Sequence, residues 1–364
     1  MKIGLVLGTS TGGIGAHVRS LAAEFVDRGM DVAVCGPATT EAQFGFASTG
    51  AWFRCLEVPG GSDPVRLLLA MRAARGALAD REVVHAHGFR AAAVAAGRGG
   101  LPLVVTWHNA ILGSGVRAWP ALALQRRAAR RADVTLCASS DLVAVARALG
   151  ARDARLGPVA APPLPSPSRT RDQVRAELGL GATDPVVLSV GRLAPQKDFD
   201  LLLDVAGRLG PGDAQVLVAG DGPLRPALGD RIAAESLPVR LLGAVDGIAD
   251  LLGAADLALL TSTWEARALV AQEALRAGVP LVARSVGGIP ELVGDAAVLV
   301  AGEDRSALAD ELAAAVRRLL GDPAERARLA TVGLERASTW PTEADTASQV
   351  LHVYDALLHT PLSR

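Results

Sequence analysis

The chain has almost no lysine. Of its thirty-seven basic residues only Lys2 and Lys197 are lysines, and arginine supplies the rest. Aromatic residues make up 3% of the 364. Cysteine occurs three times, at Cys35, Cys55 and Cys137, far apart and without CxxC spacing. That pattern fits neither a disulfide framework nor a zinc site, and it reads as three buried small hydrophobes in a reducing cytoplasm. No stretch approaches the ~20 apolar residues of a membrane span. The N-terminal apolar run stops at Gly8, too short for the apolar region of a signal peptide, so export is not expected. Gly8, Gly12, Gly13 and Gly15 fit neither G-x-G-x-x-G nor a GK[ST] loop, which argues against a dinucleotide dehydrogenase and a P-loop enzyme. With no HExxH and no His/Cys cluster, no metal site is expected.

What is present is aliphatic. Half of the residues are hydrophobic, and a chain of this length divides most naturally into two domains of about 150–200 residues. Apolar runs at 2–8, 31–36, 82–87, 101–108 and 132–139 read as buried strands separated by Ala/Arg-rich helices. Such alternation predicts βαβ units on a parallel sheet. Residues 157–169 then hold five prolines in thirteen positions, which suits an exposed, semi-extended linker. The alternation restarts with strands at 185–190, 215–220, 239–243, 256–262, 280–285 and 296–300, and the chain ends in helices over 305–320, 323–338 and 342–358. Two doubly wound α/β domains of this kind bind ligands outside the carboxyl ends of their strands. Charge is also divided. Residues 1–166 carry eighteen basic and eleven acidic side chains, and residues 167–364 carry nineteen and twenty-seven. A basic half can attract anionic lipid or phosphate, or the two domains simply carry opposite signs.

Two stretches carry chemistry. In "GRLAPQKDF" (191–199), Gly191 and Arg192 follow a predicted strand and Lys197 precedes a predicted helix. A guanidinium fork and a compact ammonium five residues apart can converge on one dianion such as pyrophosphate; the other reading is two solvated surface charges. In "STWEARALVAQEALRAGVP" (262–280), Glu265 follows a strand and Glu273 comes eight residues later. The spacing predicts a helix from near Arg267 to Gly278, with Leu269, Val270, Ala274 and Ala277 toward the sheet and Glu273 about two turns inside. The free N–H groups of Ala266, Arg267, Ala268 and Leu269 would then form an anion site. Glu273 could accept from the two hydroxyls of a ribose, and Glu265 could hold sugar hydroxyls beyond the phosphates.

With these stretches in view, the chain resembles the family 4 retaining glycosyltransferases of the GT-B fold. The matching features are Glu265 and Glu273 at E-x7-E spacing, Gly191, Arg192 and Lys197, "VAGDGP" (218–223), "VRLLGAV" (239–245) and "RSVGGIPELV" (284–293). "TGGIGAHVRSLAAEF" (11–25) and "VVTWHN" (104–109) match more loosely. The resemblance implies an α/β fold of two Rossmann-like doubly wound domains facing across a cleft. It implies an N-terminal acceptor-side domain (1–157), a linker (158–172), a nucleotide-sugar domain (173–340) and a C-terminal helix (341–364) returning to the first domain. The implied reaction transfers a hexose-type sugar from a nucleoside diphosphate donor, with UDP favoured over GDP, to an unknown acceptor with retention and without a metal or other cofactor. Arg192 and Lys197 would stabilise the departing diphosphate. Glu273 would bind ribose, Glu265 the donor sugar, and His108 the sugar or the reacting centre, unless His108 is structural. Gly12 and Gly13 would bring loop N–H groups to the donor from the first domain. Gly191, Gly220, Gly243, Val245, Ala266, Arg267, Ala268 and Leu269 complete the implied donor site.

There are departures. The Gly-Phe-Gly often found after the first glutamate is Ala266-Arg267-Ala268 here, so Arg267 either adds a contact or faces solvent. The Asn-Gly-Val-Asp often found before the linker is replaced by "GPVAAP". Segment 117–133 combines Arg126, Arg127, Arg130 and Arg131 with Trp119, Leu122 and Leu124. It is either an ordinary amphipathic helix or a dock for an anionic membrane, and the second reading would place a lipid-linked acceptor at the inner membrane face. No nucleic acid partner is expected. Two other functions stay open at this level: a nucleotide-sugar epimerase of the same fold, and a non-catalytic two-domain sugar-binding protein.

Overall fold

The computed structural model describes the whole chain except residues 11, 61–62, 110, 112–118, 158, 211 and 360–364. Two compact units result, one of residues 1–162 with 341–364 and one of residues 163–340. In the first unit seven parallel strands run β1 (Lys2–Leu7), β2 (Asp31–Gly36), β3 (Trp52–Cys55), β4 (Val83–His87), β5 (Leu103–Trp107), β6 (Val134–Cys137) and β7 (Ala154–Leu156). Their spatial order is β3-β2-β1-β4-β5-β6-β7. The helices are α1 (Gly13–Asp27), α2 (Ala38–Phe44), α3 (Pro64–Ala77), α4 (Phe89–Ala95), α5 (Trp119–Arg131) and α6 (Ser140–Ala148). The inner strands β4 and β5 are buried along their whole length, which is why they read as unbroken apolar runs. The edge strands β3 and β7 are partly exposed and carry Arg54 and Arg155. Cys55, expected in the interior, lies exposed on β3, whereas Cys35 and Cys137 are buried.

The second unit repeats the plan with β8 (Val186–Val190), β9 (Gln215–Ala219), β10 (Val239–Gly243), β11 (Leu257–Leu260), β12 (Leu281–Arg284) and β13 (Ala297–Val300), ordered β10-β9-β8-β11-β12-β13. Its helices are α7 (Arg171–Glu177), α8 (Phe199–Arg208), α9 (Arg225–Ala234), α10 (Ile248–Ala254), α11 (Leu269–Arg276), α12 (Ile289–Val293), α13 (Arg305–Gly321) and α14 (Pro323–Ser338). Residues 159–170 of the linker have no regular structure, α7 begins inside it at Arg171, and its first part is not exposed: Val159, Ala160 and Ala161 are buried.

After Trp340 the chain returns to the first unit as α15 (Glu343–His359). Ala347, Val350, Val353 and Tyr354 of this helix enter the first core beside Phe25 and Leu21. Burying Val350 and Val353 contributes roughly 1.5–3 kcal/mol each. The Tyr354 hydroxyl, which burial would otherwise leave unsatisfied, lies 2.6 Å from His85 Nδ1.

Candidate active site

In each sheet the strand order reverses beside its first strand, and loops on either side of such a switch point diverge to leave room for a ligand. In the second unit the reversal lies between β8 and β11. The loop after β8 carries Gly191, Arg192 and Lys197; the loop after β11 carries Glu265. The two loops are tied together. Thr261 Oγ1 donates to the Lys197 carbonyl (3.1 Å), Thr263 N to the Gln196 carbonyl (2.9 Å), and Gln196 Nε2 to the Trp264 carbonyl (2.9 Å). Between them Lys197 Nζ donates to Glu265 Oε1 at 2.5 Å, and Ser262 Oγ donates to the same oxygen at 2.7 Å. Glu265 is only 7% exposed, so this pair is held in a partly desolvated place, where charge interactions are strong. Arg192 lies exposed one residue beyond Gly191, its guanidinium unengaged among the described residues.

Glycines set this geometry. A Cβ on Gly220 (φ +145°) would stand 1.9 Å from the Gly191 carbonyl oxygen, and one on Gly287 (φ +52°) would stand 2.1 Å from the Glu265 carbonyl oxygen. Gly288 N donates to that same Glu265 oxygen at 2.8 Å. The "RSVGGIPELV" stretch therefore buttresses the backbone of Glu265. Gly243 (φ +79°) closes the neighbouring turn by accepting from Gly220 N at 2.7 Å, and Val245 packs partly against the core.

Helix α11 starts later than the sequence suggests. Its first residue is Leu269 and its N-cap is Ala268, so Ala266 and Arg267 belong to the loop. The unused N–H groups are those of Leu269, Val270 and Ala271. Val270, Ala271, Ala274 and Leu275 form the buried face; Leu269 is half-buried and Ala277 exposed. Glu273 sits just over one turn inside, not two. It is half-buried with no hydrogen-bond partner among the described residues, and desolvation pushes its pKa up, opposed by Arg276. A carboxylate in that state gains much from any hydroxyl donors brought to it. Arg267 does not face solvent: its guanidinium lies 5.8 Å from the Trp340 ring centroid, and burial pushes its pKa down to about 10. Its Nε and Nη2 are buried without hydrogen-bond partners among the described residues. Its backbone lies in the loop beside Glu265.

The first unit has its own switch point between β1 and β4. A cavity of about 260 Å³ lies there, lined by Gly8, Thr9, Ser10, His87, Arg90, Trp107, His108 and Asn109 among others. Gly12 is the N-cap of α1 and Gly13 its first residue, so Gly13 is not in the loop as expected. His108 is joined by three further histidines, His17, His85 and His87. His87 Nδ1 and His108 Nε2 are 3.2 Å apart, so one ring holds the proton between them. His85 and His87 stack with centroids 4.3 Å apart, and His17 meets His87 and His108 edge-on. Burial favours the neutral ring in all four. It lowers the pKa of His17 to about 4 and that of His85 to about 3, and holds His87 and His108 well below the usual value. His87 Nε2 is buried with no hydrogen-bond partner among the described residues. No grouping of three or more His, Cys, Asp or Glu suited to a metal occurs among the described residues. The signal was available in the sequence: His-x-His closes β4, His108 follows β5, and these strands are neighbours, with His87 paired to Thr106.

Comparison with known proteins agrees with this two-unit plan. The family described as Glycosyl transferases group 1 matches residues 170–336, and the Glycosyl transferase 4-like domain matches residues 12–161. A D-inositol 3-phosphate glycosyltransferase of Xylanimonas cellulosilytica is 32% identical, over 94% of this chain and 91% of the relative. An alpha-D-kanosaminyltransferase of Streptomyces kanamyceticus is 35% identical over 44% of this chain and 42% of its own. Among solved structures, HepE of Anabaena in complex with UDP superposes with a TM-score of 0.80 at 22% identity, over 98% of this chain and all of that one. Sucrose-phosphate synthase of Thermosynechococcus elongatus does so with a TM-score of 0.80 at 21% identity, over 98% and 99%. The architecture is GT-B, and epimerisation and non-catalytic sugar binding are not favoured.

Proposed function

This chain belongs to the group 1, family 4 type of glycosyltransferase, and from that premise we propose that its donor is a uridine diphosphate sugar held by the second unit. The reaction we propose retains the anomeric configuration, uses no metal ion, and delivers the sugar to an acceptor held in the first unit. The observation that carries the reading is the meeting of Lys197 with Glu265, from two loops flanking one switch point, at 2.5 Å. An ammonium has three N–H groups and can serve Glu265 and a diphosphate together. As the bond from the anomeric carbon to phosphate oxygen breaks, negative charge grows on the diphosphate. Lys197, exposed Arg192 and the first N–H groups of α11 are fixed donors for that charge. Glu265 takes the donor sugar's hydroxyls and Glu273 the ribose hydroxyls. The UDP bound in the Anabaena HepE structure supports the choice of nucleotide. The acceptor cavity is the one beside His108 and Arg90, and the basic first unit rests on an anionic membrane surface.

Calorimetric titration with UDP and GDP in EDTA tests this. UDP is expected to bind more tightly, and Glu273→Ala to weaken UDP by about tenfold or more through loss of two charge-assisted hydrogen bonds. Proton NMR of the first product formed should show the donor's anomeric configuration. Failure of UDP to bind without a divalent ion would overturn the metal-free reading.

A further inference from the structure

The cavity at the strand ends of the first unit does not stop there. It shares Gly60, Phe89 and Arg90 with a second cavity of about 460 Å³ between α3, α4 and α5. The outer cavity is mainly apolar, lined by Leu67, Phe89, Val94, Pro120 and Leu124, with Arg127 at its edge. The helices that wall it are unusual on their outer faces. Leu68 and Leu69 of α3 are 56% and 60% exposed, and Trp119 of α5 is 70% exposed. Neither α3 nor α5 contains an acidic residue; α3 carries three arginines and α5 four. Arg126 and Arg127 make no ion pair among the described residues.

On α3 only Arg66 has an acidic partner among the described residues, Asp63 at the helix N-cap, 3.6 Å away and itself exposed. Large apolar side chains set among arginines so sparsely neutralised form the pattern of a surface that enters the interface of an anionic bilayer. A partner protein helix would need acidic side chains at many points to match this rim, whereas anionic headgroups match it everywhere.

We propose that the α3–α4–α5 groove is an apolar subsite and that the acceptor is an amphiphile drawn from an anionic membrane. Its polar head lies in the inner cavity beside Arg90 and His108, and its hydrocarbon lies along Leu67, Val94 and Leu124. This rests on the glycosyltransferase reading. A hydroxyl oxygen of the head forms a bond to the anomeric carbon while the bond from that carbon to phosphate oxygen breaks. The electron pair and the hydroxyl proton leave with the nucleoside diphosphate.

The full chain is sedimented with vesicles of phosphatidylcholine, with and without phosphatidylglycerol, and titrated with the fluorescent fatty acid anthroyloxystearate. The wild type should sediment only with the phosphatidylglycerol vesicles and should bind the probe. Leu68→Glu/Leu69→Glu should reduce sedimentation at least tenfold. Leu124→Trp, and independently Ala121→Phe, should reduce probe binding at least tenfold by filling the groove. Helix content and UDP affinity, read on the second unit, should not change. Equal sedimentation with both kinds of vesicle, or unchanged probe binding by both groove-filling variants, would overturn the proposal. Loss of UDP binding by the wild type would instead count against the donor reading and leave the groove result standing on its own.

Discussion

Replacing Lys197 with methionine separates two roles that one side chain carries. The stem of Lys197 lies 3.3–3.6 Å from where a Cβ on Gly191 would stand, and methionine preserves much of that packing. What it removes is the charge. Among the described residues Glu265 then keeps one side-chain donor, the Ser262 hydroxyl on Oε1. Breaking a fully buried ion pair costs about 3–5 kcal/mol; with Lys197 24% exposed, solvent screening reduces this to about 2 kcal/mol. Removing a fixed donor from a developing anion costs a further ~10²–10³ in turnover. Lys197→Met should therefore lose about 2 kcal/mol in urea unfolding of the second unit and two to three orders of magnitude in UDP release. Adding Glu265→Gln removes the stranded charge, so Lys197→Met/Glu265→Gln should recover most of the stability and none of the turnover. Recovery of turnover in the double variant would refute the reasoning, because Lys197 would then be a counter-ion for Glu265 and nothing more.

Three buried histidines, His17, His85 and His87, and the half-buried His108 make the first unit acid-sensitive. Their folded pKa values lie below the ordinary 6.5, so stability is complete above that value and falls as pH drops toward about 4 for His17 and about 3 for His85. Two such groups lose on the order of 5 kcal/mol between about pH 6.5 and 4.5. Calorimetric melting across that window should show the first unit's transition falling steeply, and His17→Leu should flatten the slope; a flat profile in the wild type would contradict the burial argument. Gly220→Ala should displace the Gly191 loop, because its Cβ would stand 1.9 Å from a backbone oxygen, and should weaken UDP binding at least tenfold. Gly229→Ala, inside α9 with nothing within 4 Å, should leave UDP binding unchanged, so equal affinities for both variants would show that the tight approach does not set the site.

The inner strands were legible because burial on both faces leaves no reason for a polar residue. The edge strands β3 and β7 were not, since partial exposure admits Arg54 and Arg155 and breaks the run. The start of α11 lies two residues beyond the expected position because Ala268, a residue with no capping side chain, stands where Ser or Asp would mark the boundary. Arg267 could not be placed at all: its partner Trp340 is distant in sequence and belongs to the far end of the unit. The meeting of Lys197 with Glu265 depends on β8 lying beside β11, a pairing that separates by 68 residues what it joins. Local pattern gives the two residues and their loops; only sheet order gives the pair.

That pair also accounts for a lysine in a chain that otherwise uses arginine. Glu265 already accepts from Ser262 on Oε1 and is almost fully buried. A guanidinium here would form a planar two-point fork with both carboxylate oxygens, committing its best-placed donors to the glutamate. The sugar hydroxyls assigned to Glu265 would then find both oxygens taken. An ammonium makes a single contact with Oε1, leaves Oε2 open for substrate, and keeps two N–H groups for a second anion. Its stem is also sheathed by Gly191, where the absent Cβ leaves room for a slender chain that turns toward the glutamate. The residue type follows from the need for one cation to touch two anions at once, one permanent and one that comes and goes with each turnover.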